Sequence, residues 1–284
     1  MRDCAVATAY GPLAGLRRGA GGGTPVLALH GWLDNAASFV PLAGHLPATL
    51  DLVALDLPGH GASAHLPPGA EYSLPGTVHA VLDAADALGW ERFAVLGHSM
   101  GAAIGSILAA AAPERVRCFV AIEALGALAD AEDHTAARLR EAVAARRALA
   151  GKRLRVFPDL DAAIRARMQA SGLAQDVARL LVERGVRAVD GGYAWSSDPR
   201  LTISTAVRMT EGQVRDLLAG IRCPVRAIYA QPAQAYFPEP LRSERAAALA
   251  ECELVRLDGG HHLHMEQPGA VAAAIGDFLG RDRP

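Results

Sequence analysis

Lysine is nearly absent from this 284-residue chain. Lys152 stands alone among 28 basic residues, and all the others are arginine. We read that bias as one of lineage and give it no functional weight. Aromatic residues make up only 5% of a chain that is 51% apolar, much of it alanine, which favours closely packed helices over a bulky aromatic core. Cysteine occurs four times, as Cys4, Cys118, Cys223 and Cys252. No two form a C-x-x-C pair, and no Cys/His cluster has the spacing of zinc ligands, so a disulfide framework and a sequence-local zinc site are both set aside. A reducing compartment is the simpler reading. The net charge of −2 provides no field for nucleic acid or an anionic membrane. The longest run of small apolar residues, 101–112, is too short to span a bilayer. The first twenty residues hold no apolar core of signal-peptide length. A soluble, cytoplasmic protein is expected, with no nucleic-acid or membrane partner and no metal site. Its length suits one large α/β domain, or one domain with an insertion.

What is present is a rhythm. Residues 4–18 alternate weakly about Gly11-Pro12 and read as a hairpin, followed by a glycine-rich turn at 19–23. The runs PVLAL (25–29) and DLVAL (51–55) are continuously apolar, as in strands buried on both faces of a mainly parallel sheet. A short helix is expected over 38–46, with Ser38 as its cap. Another is expected over 73–88, where Leu74, Val78, Val81, Leu82, Ala85 and Leu88 recur at helical spacing. RVRCFVAI (115–122) reads as a strand. Strands alternating with helices at this interval indicate βαβ units, a parallel sheet and helices on both faces. The rhythm stops between Glu123 and about Thr210. There residues 130–150 and 159–185 read as helices, no convincing strand appears, and 14 basic residues outnumber ten acidic ones over 124–210. This segment is expected to be a helical insertion without a core of its own. Beyond it come a helix (211–219), a strand (224–229), a helix (241–249), a strand (253–257), a loop (259–268) and a last helix (269–279).

The stretch FAVLGHSMGAAIGSILAAAA (93–112) organises the rest. A short apolar run leads into Gly97-His98-Ser99-Met100-Gly101, and a helix follows. Strand, sharp turn with one serine between glycines, then helix, is the context of a nucleophile elbow. The turn pushes the Ser99 hydroxyl into the open beside a helix N-terminus whose N–H groups are unpaired. The bland alternative is a tight glycine turn whose serine caps the helix.

Four motifs in order, HGW (30–32), DLPGHGAS (56–63), GHSMG (97–101) and GGHHLHMEQP (259–268), make the chain resemble an α/β-hydrolase over its whole length. Within that superfamily it is similar to the serine hydrolase-like group, through GWLDNAASF (31–39) and GGYAWSSDPRLT (191–202). The resemblance implies a mostly parallel eight-stranded sheet flanked by helices and a helical cap inserted after the sixth strand. Residues 1–123 and 211–284 would form the core and 124–210 the cap. It also implies a serine nucleophile and no cofactor, and it supplies no substrate.

On that basis Ser99 is the candidate nucleophile and His261, directly after Gly-Gly, the candidate base. His262 and His264 are read as packed loop histidines. Many relatives carry the triad acid shortly after the seventh strand, but residues 230–237 (AQPAQAYF) contain no carboxylate. Some members carry it at the end of the sixth strand, where this chain has Glu123, 24 residues after Ser99. Glu123 is therefore assigned, with Asp130 and Glu239 as alternatives. The backbone N–H groups of Met100 and Trp32 are the expected oxyanion donors. Leu33, His98, Tyr193 and Trp195 are candidate pocket residues, although His98 points away from the elbow in family members. Asp34 and Asn35 are expected to brace their loop, Asp56 to tie down the loop that holds His60, and Arg200 to pair with Asp198. The expected chemistry is ester-type acyl transfer through an acyl-enzyme. A C–C bond hydrolase, a thioesterase or a perhydrolase could use the same three residues. A ligand-binding member with lost catalysis is the reading from a different class.

Overall fold

The computed structural model describes residues 1–19, 21–149 and 155–281. Ala20 of the expected glycine turn and Ala150, the last residue of an expected helix, lie outside the described residues. The chain opens with the hairpin β1 (Arg2–Thr8) and β2 (Gly11–Arg18), then β3 (Thr24–Leu29), α1 (Val40–Ala43) and β4 (Leu50–Leu55). Next come α2 (Leu74–Ala87), β5 (Phe93–His98), α3 (Met100–Ala111) and β6 (Val116–Ile122). The inserted segment carries α4 (Thr135–Leu149), α5 (Leu160–Ser171), α6 (Gln175–Gly185), β7 (Val186–Val189) and β8 (Gly192–Trp195). The chain closes with α7 (Glu211–Ala219), β9 (Val225–Gln231), α8 (Leu241–Ala247), β10 (Cys252–Asp258), α9 (Leu263–Glu266) and α10 (Pro268–Ile275).

Eight strands form one sheet in the order β1-β2-β4-β3-β5-β6-β9-β10. The first two pairings, β1 with β2 and β2 with β4, are antiparallel, and the remainder are parallel. The continuous apolar runs have the physical cause anticipated for them. In β3, Leu27 and Leu29 face a cluster built with α2, α3 and α7. Val26 and Ala28 face the other way, onto Leu42, Leu263, Val271 and Ile275. Both faces of the central strands are thus buried, and no polar alternation survives.

Several local expectations are corrected, and the helix expected over 159–185 is two, α5 and α6, parted at Gly172. The helix expected over 38–46 is a 3₁₀ turn (Ala36–Phe39) running into α1, and its cap is Asn35, whose side chain accepts from the Ala37 N–H; Ser38 lies inside the turn. The loop expected over 259–268 contains the single turn α9. The inserted segment holds the antiparallel hairpin β7–β8, which was not anticipated because its strands are four residues long and mostly half-exposed. Its apolar residues also gather into a cluster of their own, with Phe157, Ala163, Ile164, Leu173, Ala178, Leu181 and Val182, closed by Met265 from α9.

The inserted segment returns to the sheet through polar ties. Arg184 of α6 holds Asp56 and Asp3. The Asp198 N–H donates to the Gly59 carbonyl, and Tyr72 donates to the Asp198 carboxylate. Arg200 pairs with Asp198 at 2.6 Å, as expected, and also donates to the Leu66, Pro67 and Ala70 carbonyls.

The tightest approach of helix to sheet lies at Gly101. A Cβ there would stand 1.9 Å from the Leu29 carbonyl oxygen, and one at Gly97 would stand 2.6 Å from the Ala102 Cα. Both neighbours are backbone, so α3 sits where it does only because these residues have no side chain. Gly101→Ala is predicted to cost about 3 kcal/mol in urea unfolding, from overpacking. Gly212→Ala, on an exposed face of α7 with its nearest contact at 3.9 Å, should stay within about 1 kcal/mol of wild type.

Candidate active site

Ser99 occupies the single residue between β5 and α3, at φ 51° and ψ −115°. Such a backbone is strained for a residue with a side chain. It is held by the Ser99 N–H donating 2.8 Å to the Ile122 carbonyl, and by the Ala102 and Ala103 N–H groups donating to the Ser99 carbonyl. The hydroxyl is left facing the end of β10. There Gly259 extends the β9–β10 pairing by one bond, its N–H donating 3.0 Å to the Gln231 carbonyl, and the chain then turns outward to His261. The His261 Nε2 lies 3.0 Å from the Ser99 Oγ.

Glu123 follows β6 directly. Its N–H still donates to the Ile228 carbonyl of β9, and its φ of 61° swings the side chain toward His261. The carboxylate is buried. Its Oε2 lies 3.2 Å from the His261 Nδ1, and its Oε1 accepts the Ala230 N–H at 2.6 Å. Ser99, Glu123 and His261 therefore come from the carboxyl ends of β5, β6 and β10, the edge where sheets of this kind place their sites. With Nδ1–H donating to Glu123, the His261 Nε2 lone pair faces the Ser99 hydroxyl, so the arrangement can draw a proton from serine to imidazole. The two alternative acids are turned elsewhere: Asp130 to His134 and Arg138, and Glu239 to Ser243 and Arg256.

Two participants were not anticipated. The Tyr236 hydroxyl lies 3.0 Å from the His261 Nδ1, beside the Glu123 contact. Burial and the charge of Glu123 push its phenol up to about 12, so it stays protonated. It sits in the segment after β9 that sequence reasoning searched only for a carboxylate. Arg242 of α8 is buried, with its Nη2 at 3.5 Å from the Glu123 Oε1, and it donates to the Phe237 and Ala230 carbonyls at 2.7 Å. A charge in a helical pattern reads as a solvated face, so nothing in the sequence marked it.

The remaining candidates are spread around this chain of bonds. Met100 is the first residue of α3, so its N–H lies outside the intrahelical ladder. The Trp32 side chain is 54% exposed, and its indole N–H donates to the Leu201 carbonyl in the inserted segment. Leu33 is half-buried at φ 56°, and its carbonyl accepts from Arg167. His98 was a candidate for the pocket, but it has no exposed surface. It lies beneath the elbow, its Nε2 against the His261 carbonyl at 2.9 Å, because strand alternation turns it away from Ser99. Tyr193 pairs through its backbone with Phe157, and Trp195 packs edge-on against the Phe157 ring at 5.2 Å, so these two serve the cluster of the inserted segment.

The braces are as expected. Asp34 meets Arg167 of α5 and lies 3.3 Å from the His262 Nε2. Burial would raise its pKa, but His262 and Arg167 outweigh it and hold the carboxyl below its ordinary range. Asn35 donates to the Leu181 carbonyl of α6. Asp56 accepts the Ala36 and Ala62 N–H groups and the Arg184 guanidinium. No helix among the described residues is long and apolar enough to cross a membrane.

A family model for the α/β-hydrolase fold matches residues 24–210. The chain belongs to that family. It is 31% identical to a serine hydrolase-like protein of Danio rerio, over 97% of this chain and 87% of the relative. It is also 31% identical to the lipase LipV of Mycobacterium tuberculosis, over 93% of this chain and 96% of that one. Among solved structures, a hypothetical protein of Pseudomonas aeruginosa PAO1 shares 38% identity at a TM-score of 0.93, covering 99% of this chain and 100% of that one. The family and these relatives support a hydrolase.

The site rests on histidines buried in the neutral form, which sets its acid limit. Burial, followed by the neighbouring His30, pushes His60 down to about 3, and burial lowers His30 as well. The unfolded chain protonates the His60 ring below about pH 6.5, the folded protein only near pH 3. Its contribution is therefore complete above the first value and is lost as pH falls toward the second, at about 1.4 kcal/mol per pH unit. Urea unfolding across the acid range should show a slope that is shallower by about that amount in His60→Asn. An unchanged slope would contradict the assignment.

Proposed function

We propose that the protein is a serine hydrolase that cleaves ester-type acyl bonds of a small molecule, with Ser99 as nucleophile, His261 as base and Glu123 as the acid of the triad. The observation that carries this reading is the continuous path from the Ser99 Oγ to the His261 Nε2 at 3.0 Å, and from the His261 Nδ1 to the Glu123 Oε2 at 3.2 Å. A free hydroxyl is a poor nucleophile at neutral pH, and the imidazole supplies the missing base.

In this reading His261 takes the Ser99 proton as Oγ attacks the carbonyl carbon. The oxyanion so formed is met by the N–H groups of Met100 and Trp32. His261 then returns the proton to the leaving alcohol. A water molecule, deprotonated by the same ring, attacks the acyl-enzyme, and the ring returns that proton to the Ser99 Oγ as the C–Oγ bond breaks and the acid leaves. Glu123 holds the Nδ1–H tautomer throughout and stabilises the imidazolium. Its own charge is held by Arg242 and the Ala230 N–H, and Tyr236 offers the ring a second oxygen. Residues 124–210 act as a cap over the carboxyl edge of the sheet, with Trp32 and Leu33 at the substrate side. The half-exposure of Ser99 and His261 supports a hydroxyl that substrate can reach. A thioester, a carbon–carbon bond next to a carbonyl, or a peracid could be turned over by the same three residues, and the choice between these and an ester lies in the cap.

Turnover of a panel of p-nitrophenyl esters of graded chain length tests the reading. Ser99→Ala should abolish it. Glu123→Gln should lower kcat by about 10³- to 10⁴-fold, as loss of the triad acid does elsewhere. Glu239→Gln, whose carboxylate is an exposed partner of Arg256, should stay within about twofold. A Glu239→Gln enzyme that loses activity while Glu123→Gln keeps it would move the acid to residue 239.

A further inference from the structure

Beneath the elbow, three side chains from distant parts of the chain converge on one point. Asp34 follows β3, His98 ends β5, and His262 follows the β10 turn. One ligand atom from each, the Asp34 Oδ2, a His98 nitrogen and a His262 nitrogen, all lie within 4.8 Å of one another. The Asp34 Oδ2 is 3.7 Å from the His98 Nδ1 and 3.3 Å from the His262 Nε2. Side-chain exposure is 1% for Asp34, 0% for His98 and 9% for His262.

The polar accounting at this point is incomplete. The His98 Nδ1 is buried and has no hydrogen-bond partner, and the Asp34 Oδ2 that it faces has only the His262 Nε2 beside it, at 3.3 Å. Buried polar atoms are normally satisfied, and each that is not calls for a reason. The His98 Nε2 faces the His261 carbonyl at 2.9 Å and must carry the hydrogen, which leaves a bare lone pair on Nδ1 aimed at the carboxylate. Two facing acceptors repel unless a cation lies between them. Gly31 lies against the same two atoms: a Cβ there would stand 3.0 Å from the His98 Nδ1 and 3.1 Å from the Asp34 Oδ2, tighter than an ordinary contact.

We propose that Asp34, His98 and His262 form a binding site for a divalent transition-metal ion, Zn²⁺ by preference. Two imidazoles and a carboxylate match the usual donors of zinc, with three protein ligands and a fourth position open. Bonds of about 2.1 Å in a tetrahedron set the ligand atoms about 3.4 Å apart, close to the two spacings seen to the Asp34 oxygen. The outer partners are already in place. Arg167 holds the other Asp34 oxygen, and the His261 carbonyl holds the other His98 nitrogen, as carboxylate and histidine ligands are commonly held from behind. None of Ser99, Glu123 and His261 is a ligand, so the site stands independently of the hydrolase reading. It would still act on that centre. The ion would grip His262 and, through His98, the carbonyl of His261, fixing both sides of the residue that faces Ser99.

Zinc titration of EDTA-stripped full-length protein, followed by calorimetry and by metal analysis after desalting, tests the site. One equivalent of Zn²⁺ should bind, and Co²⁺ in its place should give the visible absorption of a tetrahedral ion. His262→Gln and Asp34→Asn should each weaken binding by at least about 100-fold. Circular dichroism establishes that each variant is folded. If either is not, Gly31→Ala, whose methyl group would press on the His98 Nδ1 and the Asp34 Oδ2, must weaken zinc in its place. The exposed group Asp130, Asp133 and His134 is the obvious competitor, and His134→Ala should leave binding intact. No uptake by the stripped protein, or uptake lost with His134→Ala and kept with His262→Gln, would overturn the proposal.

Discussion

Glu123 places a carboxylate where no water reaches it, and much of the carboxyl edge of the sheet is arranged around that fact. A buried charge costs several kcal/mol unless it is paired and its lone pairs are filled. Here the filling comes from three directions: the Ala230 N–H at the end of β9, the Arg242 guanidinium from α8, and the His261 ring from beyond β10. Each partner fixes an element. Arg242, itself buried, stacks near the rings of Tyr229 and Phe237 and ties the chain after β9 through two carbonyls. The positive φ at Glu123 is the local strain that lets one residue end β6 and still reach His261. The elbow at Ser99 has the same character. It is a strained residue held by strong neighbours, made possible by Gly97 and Gly101, where side chains would strike backbone.

The arginines of the inserted segment take on a different meaning in three dimensions. Over 124–210 they contribute to an excess of 14 basic residues over ten acidic ones. Several are bound to the rest of the chain: Arg167 to Asp34, Arg184 to Asp56 and Asp3, Arg200 to the Leu66, Pro67 and Ala70 carbonyls, Arg146 to Glu71 and the Gly69 carbonyl. The planar guanidinium suits this use, since one side chain can satisfy two or three acceptors at once. The positive balance of the segment thus reflects how it is fastened to the sheet more than what it binds.

Most of the fold could be read from the sequence because its signals are local. Continuous apolar runs announce strands buried on both faces, and a serine between glycines at a strand end announces a turn. Positions 99 and 261 lie in ordered motifs, position 123 was assigned from its place at the end of a strand, and in space the three meet. What escaped was tertiary in origin. The β7–β8 hairpin has four-residue strands with little apolar pattern to betray them. Arg242 has the sequence pattern of a surface residue of a helix, and nothing in the sequence around Tyr236 marks its hydroxyl as a neighbour of His261. Asp34, His98 and His262 are 64 and 164 residues apart in sequence, so no spacing rule could unite them. Ser38 was chosen as a cap by residue type, where geometry favoured Asn35.

The central claim is that Ser99 is an activated nucleophile. The most direct measurement is stoichiometric labelling with a fluorophosphonate, followed by peptide mass spectrometry to locate the adduct. The account predicts one phosphonyl group per chain, attached to Ser99 and absent from Ser99→Ala. An intact, folded protein that leaves Ser99 unmodified under conditions that label other serine hydrolases would contradict it.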